Sequence, residues 1–186
     1  MKTRDRDPRV TPYQVEVQNM IMRAAVILLT LGIVIPVSAR QRDFLARFDG
    51  GIGVIPATNA TGGVNIVRGV KPAPGPWRIA SLRADIDIYG QVKVRGRGLL
   101  IANGDNIGTN LNQSVFATLL CEVNNPVDRS TNRAGVALEA NGDFRIDDTL
   151  DQVPVECPNP VLLIRSTGGV DKVWFAAGIP KLTDED

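Results

Sequence analysis

The chain has 186 residues, 44% of them apolar and 22% charged, with 21 Lys and Arg set against 20 Asp and Glu. That is the balance of one ordinary globular domain, and it lacks the excess of basic residues that neutralises phosphates, which argues against a nucleic-acid partner. There is no His, so the Ser-His-Asp triad, the Cys-His pair and histidine-bearing zinc sites are excluded, and nothing else in the sequence calls for a cofactor.

In chain order the first feature is "MIMRAAVILLTLGIVIPVSARQ". Arg23 precedes an uncharged apolar run from Ala24 to Ile35, Pro36 breaks the helix, and Val37, Ser38 and Ala39 place small residues where a signal peptidase cuts. The run is about a dozen residues, whereas crossing a bilayer takes about 20. The expected organisation is an N-terminal extension and signal helix over 1–39 and a single β domain over 40–186. An uncleaved membrane anchor is the rival reading, and only through that segment would the chain meet a membrane. The stretch ahead of it is long for a leader, so Met1, Met20 and Met22 are all candidate starts. Cleavage after Ala39 removes five basic residues (Lys2, Arg4, Arg6, Arg9, Arg23) and three acidic ones (Asp5, Asp7, Glu16), leaving 16 against 17, a net charge of −1. A secreted, periplasmic or cell-surface location follows from this reading.

Beyond Arg40 the apolar residues alternate or form short runs, and Gly, Pro, Asn and Asp punctuate them about every ten residues, the pattern of many short strands. Strands are expected at Phe44 to Phe48 and Val64 to Arg68. Pro72, Pro74 and Pro76 in "VKPAPGPW" then predict an extended connection outside any sheet. The clearest element is "WRIASLRADIDIYGQVKVRGRGLLIAN": Ile79, Leu82 or Ala84, Ile86 and Ile88 alternate with Arg83, Asp85 and Asp87, Tyr89 and Gly90 offer a tight turn, and Val92 and Val94 alternate with Lys93 and Arg95. Further strands are expected at Ser114 to Cys121, Val136 to Leu138, Asp143 to Ile146, Val161 to Arg165 and Val173 to Ala177, with a frayed "KLTDED" tail. Eight or nine short strands without an amphipathic helix between them predict an all-β fold, an antiparallel sandwich of Ig-like or Greek-key type or a barrel.

The tripeptide "NGD" occurs at Asn103 to Asp105 and at Asn141 to Asp143. Asn-Gly is a strong hairpin signal because both residues tolerate positive φ, and in "VALEANGDFRI" the turn explains the motif. After Asn103 the second flank is missing, so a longer polar loop is expected over "NGDNIGTNLN".

Three chemistries fit the residues that remain. The carboxylates Asp105, Glu122, Asp143, Asp147, Asp148 and Asp151 are the candidates for a glycosidase-type acid and base. Calcium would take oxygens from turns rich in Asp and Asn, with Asp105 in the first loop and Asp147, Asp148 and Asp151 in "FRIDDTLD" as weak candidates, although neither stretch follows the twelve-residue helix-loop-helix pattern. A ligand-binding surface, with a sugar as its occupant, would draw on Asn103, Asp105, Asn106, Thr109 and Asn110 with an aromatic platform; Trp77 is the better surface candidate, though a hydrophobic plug under the Pro-rich connection is the stronger reading of it, Trp174 sits in a core strand, and Tyr89 is a third aromatic. The sequons Asn59-Ala60-Thr61 and Asn112-Gln113-Ser114 would accept glycans in a eukaryotic secretory route. Cys121 and Cys157 are an even pair that an oxidising compartment would join, for roughly 3 to 4 kcal/mol of stabilisation. Two buried thiols and a nucleophilic Cys are the alternatives, the last disfavoured because no His stands ready to activate it.

With "RGRGLLIANGDNIGTN", "SVFATLLC", "NGDFRIDD", "CPNPVLLIR" and "WFAAGIPK" read, the chain from about Phe48 to Lys181 resembles a group of secreted bacterial β-rich proteins. More remotely, the Thr61-Gly62 step, the central hairpins and the closing strand pair are similar in order to chordin-type repeat domains, which implies an extracellular β domain. It has no His-rich central motif, and "AAGIP" stands where those domains end in Gly-Glu-Ile-Arg-Gly, so no site residues are carried across. The expectation is a secreted, non-catalytic domain that binds a protein or glycan at the cell surface, the alternative being a small carbohydrate-active protein.

Overall fold

A computed structural model describes residues 43–181 of the chain. The expected signal segment and the end of the "KLTDED" tail lie outside the described residues. Eleven strands follow in order: β1 (Phe44–Gly53), β2 (Trp77–Arg78), β3 (Ser81–Asp87), β4 (Gln91–Arg97), β5 (Leu100–Ile101), β6 (Ser114–Leu120), β7 (Arg129–Ser130), β8 (Val136–Ala137), β9 (Phe144–Thr149), β10 (Val161–Ser166) and β11 (Trp174–Pro180). Among the described residues there is no helix. The fold is all-β, as the alternation predicts.

Nine strands form one antiparallel sheet in the order β7-β6-β10-β11-β1-β3-β4-β9, with β8 also paired to β6. The sheet curls until its two ends nearly meet, so the barrel alternative holds. At the seam the ladder gives way to side-chain bridges. Ser130 donates its backbone N–H to Asp151 Oδ1 at 2.8 Å, and Asp151 N–H returns a bond to Ser130 O at 2.8 Å. Asn132 N–H donates to Asp148 Oδ2 at 2.8 Å, and Arg133 lies 3.0 Å from Asp151 Oδ2. Each carboxylate stands in for a strand partner that a fully closed sheet would supply.

The interior is set by the period of two. Ala46 and Phe48 of β1, Leu82, Ala84 and Ile86 of β3, Val92 and Val94 of β4, and Phe144 and Ile146 of β9 all point into one core. Gly96 is required there: a Cβ at that position would stand 2.0 Å from the Phe144 ring. The β3–β4 hairpin forms as read, with Gly90 at φ +80° and Asp87 Oδ1 accepting the N–H groups of Tyr89 and Gln91. On the opposite side, β6 and β10 are buried along nearly their whole length, because loops cover the face that a bare sheet would leave wet.

The covering loops explain where the expected strands fail. Val64 to Arg68 makes no strand; Arg68 turns at φ +46°, Val67 and Val70 exchange hydrogen bonds across it, and Thr58 bridges Val64. The chain therefore folds back on itself instead of joining the sheet, and Arg68 Nη1 anchors it by donating to Leu120 O at 2.8 Å. The Pro-rich connection docks on the start of β11, where Ala73 N–H donates to Trp174 O and Trp174 N–H to Lys71 O. It leads into the two-residue β2, which pairs with β5 as a separate ribbon. Cys121, just past β6, is joined to Cys157, just before β10.

Candidate functional site

The residues proposed from sequence do not assemble into one site. Trp77 is 4% exposed, its ring stacked on Phe175 with centroids 4.0 Å apart and 19° between planes. It is a core plug beneath the Pro-rich connection and offers no face to a sugar. Trp174 is buried as expected, and Tyr89 stands exposed at the tip of the β3–β4 hairpin. Asn103, Asp105, Asn106 and Thr109 lie on an exposed loop held shut by Ile101 N–H to Thr109 O and Gly108 N–H to Ile101 O, both at 2.9 Å. Asn110 is instead buried. Its amide donates to Leu138 O and Glu139 O, and its Oδ1 accepts Asn112 N–H, so it anchors the loop. The two sequon asparagines, Asn59 and Asn112, are exposed, and Asn59 Oδ1 also closes its own turn by accepting from Thr61 and Gly63.

The carboxylates are dispersed and largely occupied. Asp148 and Asp151 close the barrel seam, Asp143 Oδ1 accepts Gly98 N–H at 3.0 Å, and Glu122 is gripped by Arg129. Asp147 lies 3.6 Å from Arg145, and Asp105 is far along the exposed loop. Among the described residues no three His, Cys, Asp or Glu side chains are grouped to hold a metal ion. Asp147 and Asp148 border a seam pocket of about 230 Å³ beside Val115, Val136 and Ile146. That pocket is walled by residues already engaged in closing the barrel.

A different surface is built by the register of four neighbouring strands. On the solvent face of β1, β3, β4 and β9, Arg47 stands opposite Asp85, Asp85 opposite Lys93, and Lys93 opposite Asp147. This row alternates in sign, which is how charges in direct cross-strand register stabilise a sheet. The next row on the same face does not alternate. Asp49 faces Arg83, Arg83 faces Arg95, and Arg95 faces Arg145. Arg97, two positions on from Arg95 and opposite Ser81, adds a fourth guanidinium.

Among the described residues only the ends of this row have carboxylate partners: Arg83 Nε lies 3.1 Å from Asp49, and Arg145 reaches Asp147 at the longer 3.6 Å. Among the described residues Arg95 and Arg97 make no ion pair. Both are exposed, and with Arg83, Ser81, Asp49 and Gly50 they line an open pocket of about 500 Å³. Three arginines in direct register repel one another and weaken the pairing of β3, β4 and β9. Alternation alone marks each of these arginines as outward-facing in the sequence. Their juxtaposition needs the β4–β9 register, which joins segments some fifty residues apart and leaves no local signal. A search of family models, of curated protein sequences and of solved structures finds no match to this chain.

Proposed function

We propose that the chain is an exported β-barrel domain that works by surface contact at the cell exterior and carries out no catalysis. The observation that carries this reading is the arginine row on the face of β3, β4 and β9: a concentration of like charge that costs the sheet stability and is open to solvent. The disulfide between Cys121 and Cys157 supports the exported location. A glycan-binding module is the more specific form of the same reading. Hydrolysis is the weaker one, because a glycosidase needs two carboxyl groups free to trade protons across a cleft, and here four of the six candidates are held by backbone N–H groups or by an arginine.

The test is direct. The purified, fluorescently labelled protein is titrated onto cells and isolated envelope of its own host. Saturable binding that weakens as salt is raised, and that falls when Arg95 and Arg97 are replaced by Gln, is the expected result. Absence of saturable binding overturns the reading, and so does release of reducing ends from a polysaccharide panel in amounts that scale with the protein.

A further inference from the structure

We infer that Arg83, Arg95, Arg97 and Arg145 form a binding site for an acidic polysaccharide, one chain of which lies across the strands with its sulfate or carboxylate groups taken up by successive guanidinium forks. This rests on the surface-contact reading and names its ligand.

The spacing carries the first part of the argument. Adjacent strands in a sheet are about 4.8 Å apart, so Arg83, Arg95 and Arg145 form a line of about 10 Å running perpendicular to the strands. A line of evenly spaced cations suits a linear polymer with an anion on each unit. Arginine presents a planar fork that binds an oxyanion through two parallel hydrogen bonds, which a lysine in the same position does not. Arg97 and Ser81 widen the site sideways: with Arg83, Arg95 and Asp49 they line the pocket of about 500 Å³, which brings a fourth guanidinium beside the row.

The surroundings select among polyanions. The row is bordered by Asp49 at its end and by the sign-alternating row that contains Asp85 and Asp147. An anionic membrane laid flat on this face would press those carboxylates against its own charge, whereas a single strand following the arginines avoids them. Nucleic acid is disfavoured because no aromatic side chain stands in the row or the pocket to stack on a base, and because basic and acidic residues balance over the chain as a whole. A short run of arginines in a neutral domain suits a ligand that engages a few charges at a time.

The measurement is a calorimetric titration of the full-length protein with dextran sulfate, polygalacturonate and neutral dextran, alongside phosphatidylglycerol vesicles and a single-stranded oligonucleotide. Binding is expected to one or both acidic polysaccharides and not to neutral dextran, the preferred arm telling sulfate from carboxylate. Arg95→Gln should weaken it roughly tenfold, with Arg97→Gln as an independent second variant. Arg95→Lys should restore only part of the loss, and Lys93→Gln in the alternating row should leave affinity within about twofold. Arg95→Gln should also leave the melting temperature equal or higher, since it removes the repulsion of Arg95 against Arg83 on one side and Arg145 on the other; a residue with a merely structural role would lower it. No binding to either acidic polysaccharide, binding indifferent to both arginine variants, or a preference for vesicles or oligonucleotide overturns the inference. Envelope binding that persists while the polysaccharides fail to bind removes the ligand assignment and leaves the contact reading standing; loss of both removes both.

Discussion

Glu122 and Arg129 make a two-pronged ion pair, with bonds of 2.7 and 2.8 Å. The guanidinium holds the Glu122 carboxyl down at about 2, against an ordinary value of 4.5, despite the opposing effect of partial burial. The folded value lies below the unfolded one, so acid protonates the unfolded chain first. The pair's contribution is therefore complete above about pH 4.5 and is lost as pH falls through about 2. Glu122→Gln should lower the neutral-pH urea midpoint and flatten its fall over that window, so that variant and parent converge near pH 2; an unchanged acid limb would contradict it. Asp151 is a second residue whose role is set by its partners. Replacing it with Ala leaves the Ser130 N–H without an acceptor at the seam and should cost about 1–3 kcal/mol, whereas Asn keeps an acceptor oxygen and should cost less. The acidic run "FRIDDTLD" is plain in the sequence, but its use is not. Asp148 and Asp151 serve Asn132 and Ser130, 16 and 21 positions away, and a bare run of carboxylates reads the same whether it holds a cation or a backbone.

At the level of elements, the β3–β4 hairpin was legible because alternation, turn and capping Asp87 all agree within one short segment. That agreement even fixes Arg83 opposite Arg95. The failure at Val64 to Arg68 has the opposite cause. An apolar run of strand length satisfies the same pattern when it is pinned as a loop over β6, and the deciding feature is the positive φ at Arg68, which no residue type announces. Trp77 admits two readings in the sequence, a surface platform and a plug under the Pro-rich connection; the plug holds, and the Phe175 ring that buries it comes from β11, which no local signal supplies. One element-level prediction follows from the close packing of β4 on β9. Gly96→Ala forces a methyl group into the Phe144 ring and should destabilise by about 1–3 kcal/mol, measured as a lower urea midpoint at constant slope. A neutral result would mean that Phe144 is free to move, contrary to its buried, well-packed setting.

On the scale of the whole molecule, a nearly closed barrel with balanced overall charge concentrates four arginines on one outer face and ties the loop after β6 to the approach to β10 through Cys121 and Cys157. All-β architecture was readable from composition and spacing, since short alternating runs leave no other way to bury the apolar half of the residues. The arginine row was not, because strand order is decided by long-range pairing. The proposed exported, disulfide-bonded contact domain is tested most directly by the intact mass of the protein recovered from its own host, before and after reduction with thiol alkylation. The expected species begins at or near Arg40 and takes up two alkyl groups only after reduction. A full-length chain whose thiols alkylate without reduction would contradict both export and the Cys121–Cys157 bond.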